Sequence, residues 1–176
     1  MGLQVTQDGL TWTVGATATR SVTFARPNDS NQYTAGDVIA DSSAAGVANI
    51  LRFPNLARSD GGGGIIESAL LIDSVAAATK PDTELYLFDQ IVIMQSDNAV
   101  WAPVDAEAQY AVGAIAFPLG SFRTMGANGL ITATGLGMAY NCAPGSRTLY
   151  GILVARNAYT PAALEQFEIR LQALLD

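Results

Sequence analysis

The sequence predicts an all-β chain, an antiparallel β-sandwich or jelly roll with one or two short helical turns. Three observations lead there. Apolar and polar residues alternate with a period of two along most of the length, clusters of Gly, Pro, Asn and Asp separate the alternating runs, and long helical periodicity is missing.

The runs follow one another closely. Leu10, Trp12, Val14 and Ala16 alternate with Thr11, Thr13 and Gly15, which places Trp12 on a core-facing strand. Val22 and Phe24 alternate with Thr23 and Ala25, and Pro27 to Ser30 then supply a turn before the run from Tyr33 to Ile39. Further strands are expected at 48–53, 65–75, 84–88, 111–117, 130–139 and 149–156. A helical turn is expected at 105–109 with Asp105 as its cap. Near the C-terminus, Thr160-Pro161 followed by Ala162, Ala163 and Leu164 favours one helical turn. A final strand follows, in which Phe167, Ile169 and Leu171 alternate with Glu168, Arg170 and Gln172. The four glycines 61–64 mark a mobile loop or a close backbone approach, and Ala76 to Ala78 join a strand to the Lys80-Pro81-Asp82 turn.

A chain of 176 residues fits one domain, expected over 9–176, with residues 1–8 as an N-terminal arm. Half the residues are apolar (49%) and only 14% are charged. Soluble domains average about 25% charged. So little charge leaves apolar surface to be covered by partners. The net charge of -7, with Lys80 the single lysine, argues against binding nucleic acid or anionic membranes. No apolar stretch is long enough to span a bilayer, and MGLQVTQDGL carries no signal-peptide pattern, so action in a cytoplasm is expected.

The absence of histidine removes Ser-His-Asp and Cys-His catalysis and histidine-metal centres; the lone Cys142 adds no zinc site and reads as a small buried hydrophobe. No cofactor is expected. The glycine run lacks the Lys and Ser or Thr of a P-loop. Asp89, Asp97 and Asp105 recur every eight residues; they are candidates for a cation site or a carboxylate pair, against ordinary turn chemistry. Trp101, just before Pro103, is a candidate interface anchor or a sugar-stacking residue.

Several stretches in order carry a family likeness: Thr83-Glu84-Leu85-Tyr86-Leu87-Phe88-Asp89, Ser96-Asp97-Asn98-Ala99-Val100-Trp101, Val104-Asp105-Ala106-Glu107, Leu149-Tyr150-Gly151-Ile152-Leu153-Val154 and Ala158-Tyr159-Thr160-Pro161. Together, over about residues 33–172, the chain resembles virion structural proteins of tailed bacteriophages, in particular capsid decoration (cement) proteins with a β-sandwich fold. The resemblance implies a protein made in the host cytoplasm and placed on the outer capsid surface. There it would bridge major capsid protein subunits, assemble as a homotrimer or homodimer, and carry no catalytic residues. An arm that lends main-chain hydrogen bonds makes Met1, Gly2, Leu3, Gln4 and Val5, with Trp101, the candidate interaction residues. The alternatives are a phage tail or receptor-binding module that recognises host glycan through Trp101, and a small carboxylate-dependent hydrolase.

Overall fold

The computed structural model describes residues 4–7, 10–13, 16–75 and 80–176. Strands β1 (Gln4–Gln7) and β2 (Leu10–Thr13) pair with each other as an antiparallel hairpin. The remaining strands form two sheets, as the alternating runs predict. The first holds β3 (Ala16–Ala25), β6 (Gly63–Asp73), β9 (Arg123–Met125), β10 (Asn128–Asn141) and β12 (Gln166–Leu175) in the order β3-β12-β6-β10-β9. The second holds β4 (Val38–Ile39), β7 (Thr83–Phe88), β8 (Ala111–Phe117) and β11 (Leu149–Ala155) in the order β4-β11-β7-β8. The short β5 (Leu51–Phe53) also pairs with β11. All of these pairings are antiparallel.

The core lies between the sheets because each strand presents every second residue to it. On β12, Phe167, Ile169, Leu171, Ala173 and Leu175 are buried while Arg170 and Gln172 face water. They meet Leu85, Leu87, Ile115, Phe117 and Leu153 of the second sheet in one cluster. β11 departs from this alternation: all seven residues are buried, which requires cover on both faces. Tyr150, Ile152 and Val154 belong to a second apolar cluster, distinct from the one between the sheets.

Several local expectations are corrected. The run 33–39 forms only two isolated bridges, Tyr33–Tyr159 and Asp37–Val100, and β4, because Asp37 closes a turn by accepting hydrogen bonds from the Thr34 amide (2.5 Å) and hydroxyl (2.9 Å). Gly36 completes that turn at φ 102°. The strand expected at 48–53 shrinks to β5. The helix α1 (Asp105–Ala108) begins after Val104, and Asp105 is exposed rather than capping. Glu107 serves instead, its carboxylate accepting from the Val104 amide at 3.3 Å. At 160–164 no helical turn forms. Leu164 adopts φ 57°, and Glu165 accepts from the Ala162 amide at 2.8 Å, turning the chain directly into β12.

The glycines at 63 and 64 begin β6 in a close approach: a Cβ on Gly63 would collide with the Tyr140 carbonyl, and one on Gly64 with the Leu174 carbonyl. β10 carries a bulge between Thr134 and Met138, opposite Ser68 and Ile66. Gly135 and Gly137 there have φ of 67° and 55°. Val14, Gly15 and Ala76 to Ala78, used in the strand and linker expectations, lie outside the described residues, as does the Trp12 side chain.

Candidate interaction surface

The second apolar cluster covers the outer face of the β4-β11-β7-β8 sheet. Val38, Ala40, Phe88, Tyr150, Ile152 and Val154 form its floor. Its roof is the segment from Gln90 to Val104, which has no regular secondary structure yet alternates like a strand: Val92 and Met94 point inward, Ile91 and Ile93 outward. The two inward residues complete the cluster, and the two outward ones remain 59% and 67% exposed. Val100 (65%) and Val104 (53%) are exposed on the same segment.

An irregular segment holds such a position only if its backbone is satisfied. Residues 97–101 run alongside β4: the Val38 amide donates to the Ala99 carbonyl, the Asn98 amide to the Val38 carbonyl, and the Trp101 amide to the Gly36 carbonyl, all at 2.8–2.9 Å. The Ile93 amide donates to Glu107 at 2.5 Å. Asp97 is the central anchor. Its carboxylate accepts from the Arg26 guanidinium (2.8 Å), the Tyr33 hydroxyl (2.5 Å) and the Ala40 amide (2.9 Å), and both members of the Arg26–Asp97 pair are buried. Burial, reinforced by the Asp97 carboxylate, raises the Tyr33 hydroxyl far above its ordinary pKa, so it stays a donor.

From Gln90 to Val104 the only charged residue is Asp97, and it is buried in this pair. The roof therefore presents isoleucine and valine to water with no exposed charge. Exposed apolar surface of this kind is the sort that interfaces between macromolecules use.

Trp101 lies half-buried at the edge of this roof. Its ring packs on Tyr86 at 4.1 Å and near Phe88 at 6.5 Å between centroids, so it seals the outer cluster as well as bordering the exposed face. Gln4 and Val5 sit in β1 opposite Thr13 and Trp12, while Met1, Gly2 and Leu3 lie outside the described residues. The three aspartates are put to separate uses. Asp97 is consumed by Arg26, Asp105 is exposed at the start of α1, and Asp89 borders a cleft of about 580 Å³ between β8 and β10. Asp89 Oδ1 has no hydrogen-bond partner, and desolvation raises the carboxyl above its ordinary pKa. Among the described residues no group of three or more His, Cys, Asp or Glu is arranged to hold a metal ion. Cys142 is buried, and desolvation pushes its thiol up to about 11.

A second buried polar set joins the sheet ends. Lys80 donates to Asp73 at 2.8 Å, and Glu165 accepts from the Tyr159 hydroxyl. Burial first, and then the neighbouring Asp73, push Glu165 up to about 7. Sequence reasoning passed over both this set and the Ile91–Ile93 surface. The signal for the latter was present as a fifteen-residue stretch with one charge.

No family model and no curated protein sequence matches this chain. Among the described residues no helix is long and apolar enough to cross a membrane. Solved structures with a similar chain trace include the cyanophage Pam1 capsid asymmetric unit, at 12% identity and TM-score 0.38, over 93% of this chain and 87% of that one. The capsid of Ralstonia phage GP4 matches at 12% identity and TM-score 0.39, over 92% and 84% of the two chains. The VP2 subviral particle of infectious bursal disease virus matches at 11% identity and TM-score 0.40, over 96% of this chain and 36% of that one.

Proposed function

We propose that this chain is a structural protein of a phage particle, a decoration protein that seats its charge-free roof on the outside of the capsid and bridges neighbouring shell subunits. The observation that carries the reading is the exposed Ile91, Ile93, Val100 and Val104 on a segment whose one charge is buried. Burying each of these half-exposed side chains contributes roughly 1–2 kcal/mol before the costs of association. Repeated at many positions of a shell, a modest contact of this kind stabilises the assembled particle over its loose subunits by linkage. Residues Met1 to Val5 add main-chain hydrogen bonds to a neighbour, and Trp101 lends rigidity and apolar area at the rim of the contact. The chain acts in this reading as a binding protein, not an enzyme.

The test compares particles made with the gene intact and with it deleted, measuring the temperature at which DNA escapes. Higher release temperatures for decorated particles support the reading; equal temperatures at full occupancy overturn it. Because the contact is apolar, occupancy should change little between low and physiological salt.

A further inference from the structure

The outer edge of the first sheet is a ten-residue strand whose one charged side chain is Arg20. Among the described residues β3 pairs with β12 on one side and has no ladder partner on the other. Natural edge strands are blunted by charged side chains, above all lysine, and by proline, bulges or shortness; in β3 only Arg20 serves in this way. β3 reads Ala-Thr-Ala-Thr-Arg-Ser-Val-Thr-Phe-Ala, with no lysine or proline and an unbroken register against β12.

The unpaired backbone groups can be assigned. Glu165 turns its carbonyl toward Arg26 on the β3 side, and Gln166 turns its carbonyl toward Ser74 on the β6 side. Successive residues of a strand face opposite ways, so Phe167, Ile169, Leu171, Ala173 and Leu175 bond to β3 through their register partners Phe24, Val22, Arg20, Ala18 and Ala16. Thr17, Thr19, Ser21, Thr23 and Ala25 therefore point their N–H and C=O groups outward. Among the described residues only the Thr19 carbonyl has a partner there, the guanidinium of the adjacent Arg20 at 2.9 Å.

We propose that this edge pairs with the β3 edge of a second copy, antiparallel across a two-fold axis, so that the two first sheets become one. Charge selects the partner. The chain carries -7 overall, yet residues 9–28 contain no carboxylate and two arginines, of which Arg26 is paired internally with Asp97. Two copies thus meet here without the carboxylate repulsion that governs the rest of their surfaces, and their Arg20 residues stand diagonal to each other, not face to face. The strand is also self-complementary in one register. Placing Ser21 opposite the second copy's Ser21 sets Thr19 opposite Thr23 and Thr17 opposite Ala25. All five outward residues are used, giving about ten new hydrogen bonds. The same register puts Arg20 opposite Val22. Sliding it so that Thr19 faces Ser21 brings the two Arg20 residues face to face on the axis, which disfavours it. Thr19 exchanges its contact with Arg20 for one across the axis, while Arg20 keeps its bond to the Pro54 carbonyl at 2.8 Å.

The interface goes beyond the capsid reading and is tested in solution without any shell, so either can fail alone. Opposed residues of a hydrogen-bonded pair have Cα atoms about 5.5 Å apart, within the span of a disulfide. Ser21→Cys should give a covalent dimer under mild oxidation, whereas Thr19→Cys alone should not, its two copies lying about 13 Å apart along the strand. A mixture of Thr19→Cys and Thr23→Cys chains should cross-link. Ser21→Pro removes an N–H that is unused within the protomer, so it should leave the circular dichroism unchanged and convert a light-scattering dimer to a monomer. A monomeric wild-type chain whose Ser21→Cys form does not cross-link overturns the proposal. So does a cyclic trimer without that cross-link, equal cross-linking by Ser21→Cys and Thr19→Cys, or a folded Ser21→Pro chain that stays dimeric. If Ser21→Pro does not fold, the cysteine set decides alone.

Discussion

Replacing Asp97 with alanine should cost more than any exposed substitution, and the structure sets the size. The carboxylate and the Arg26 guanidinium are both buried, with side-chain exposures of 1% and 0%. Removing Asp97 leaves the buried guanidinium only the longer contact to the partly exposed Asp29 carboxylate at 3.3 Å, which sets the loss at the lower end of the about 3–5 kcal/mol of a broken buried pair. The Ala40 amide and Tyr33 hydroxyl lose their acceptor at the same time. For a domain of this size the loss corresponds to a fall in Tm of about 10 °C. Urea denaturation followed by tryptophan fluorescence measures it, and Trp101 also reports whether the roof has loosened. Arg170→Ala, which removes the exposed Glu168 contact, is the control and should leave the midpoint unchanged. A loss below about 1 kcal/mol for Asp97→Ala would refute the view that this ion pair fixes the roof, because a buried guanidinium left with the Asp29 contact alone still loses its shortest partner.

Three further outcomes are expected. Glu165 titrates at about 7 in the folded protein against about 4.5 for an ordinary glutamate, so the folded state holds the proton more tightly. That contribution is complete below about pH 4.5 and is lost as pH rises toward and past 7; Glu165→Gln should flatten this decline in urea midpoint between pH 5 and 8, and equal slopes in the two proteins contradict it. Leu171→Ala, in a fully buried position of β12, should destabilise by about 2–5 kcal/mol, and a midpoint within error of wild type would show that β12 does not line the core. Gly64→Ala should be destabilising despite alanine's smaller backbone entropy, because its Cβ meets the Leu174 carbonyl; a gain in thermal stability counts against that close approach.

Period-two alternation was enough to place most strands, since β6, β7, β8, β10 and β12 each bury a face that the sequence marks with apolar residues. What it could not show was pairing at a distance. The run 33–39 has strand composition, but Asp37 spends its carboxylate on a turn, a local hydrogen-bonding choice that competes with the ladder. Asp97 read as a candidate cation ligand or turn residue, and nothing in the sequence joined it to Arg26 or Lys80 to Asp73; the fold brings these pairs together across 71 and 7 residues. The run 149–156 was expected as a strand, but the cover that its continuous apolar character requires on both faces was not drawn from it. The cover itself, Ile91 to Met94, was passed over because it alternates apolar with apolar and has no polar phase to reveal its exposed side.

The central claim, that the charge-free roof is the surface that meets the capsid, is tested most directly by cryo-EM occupancy on particles. Those particles would carry the wild-type chain or the double variant Ile91→Asp and Ile93→Asp. Both positions are more than half exposed, so the variant should fold with an unchanged circular dichroism spectrum. The account predicts that its density disappears from the shell while the wild-type chain is seen with residues 91–104 against it. Full occupancy by the folded variant, or wild-type density with that segment facing solvent, would contradict it.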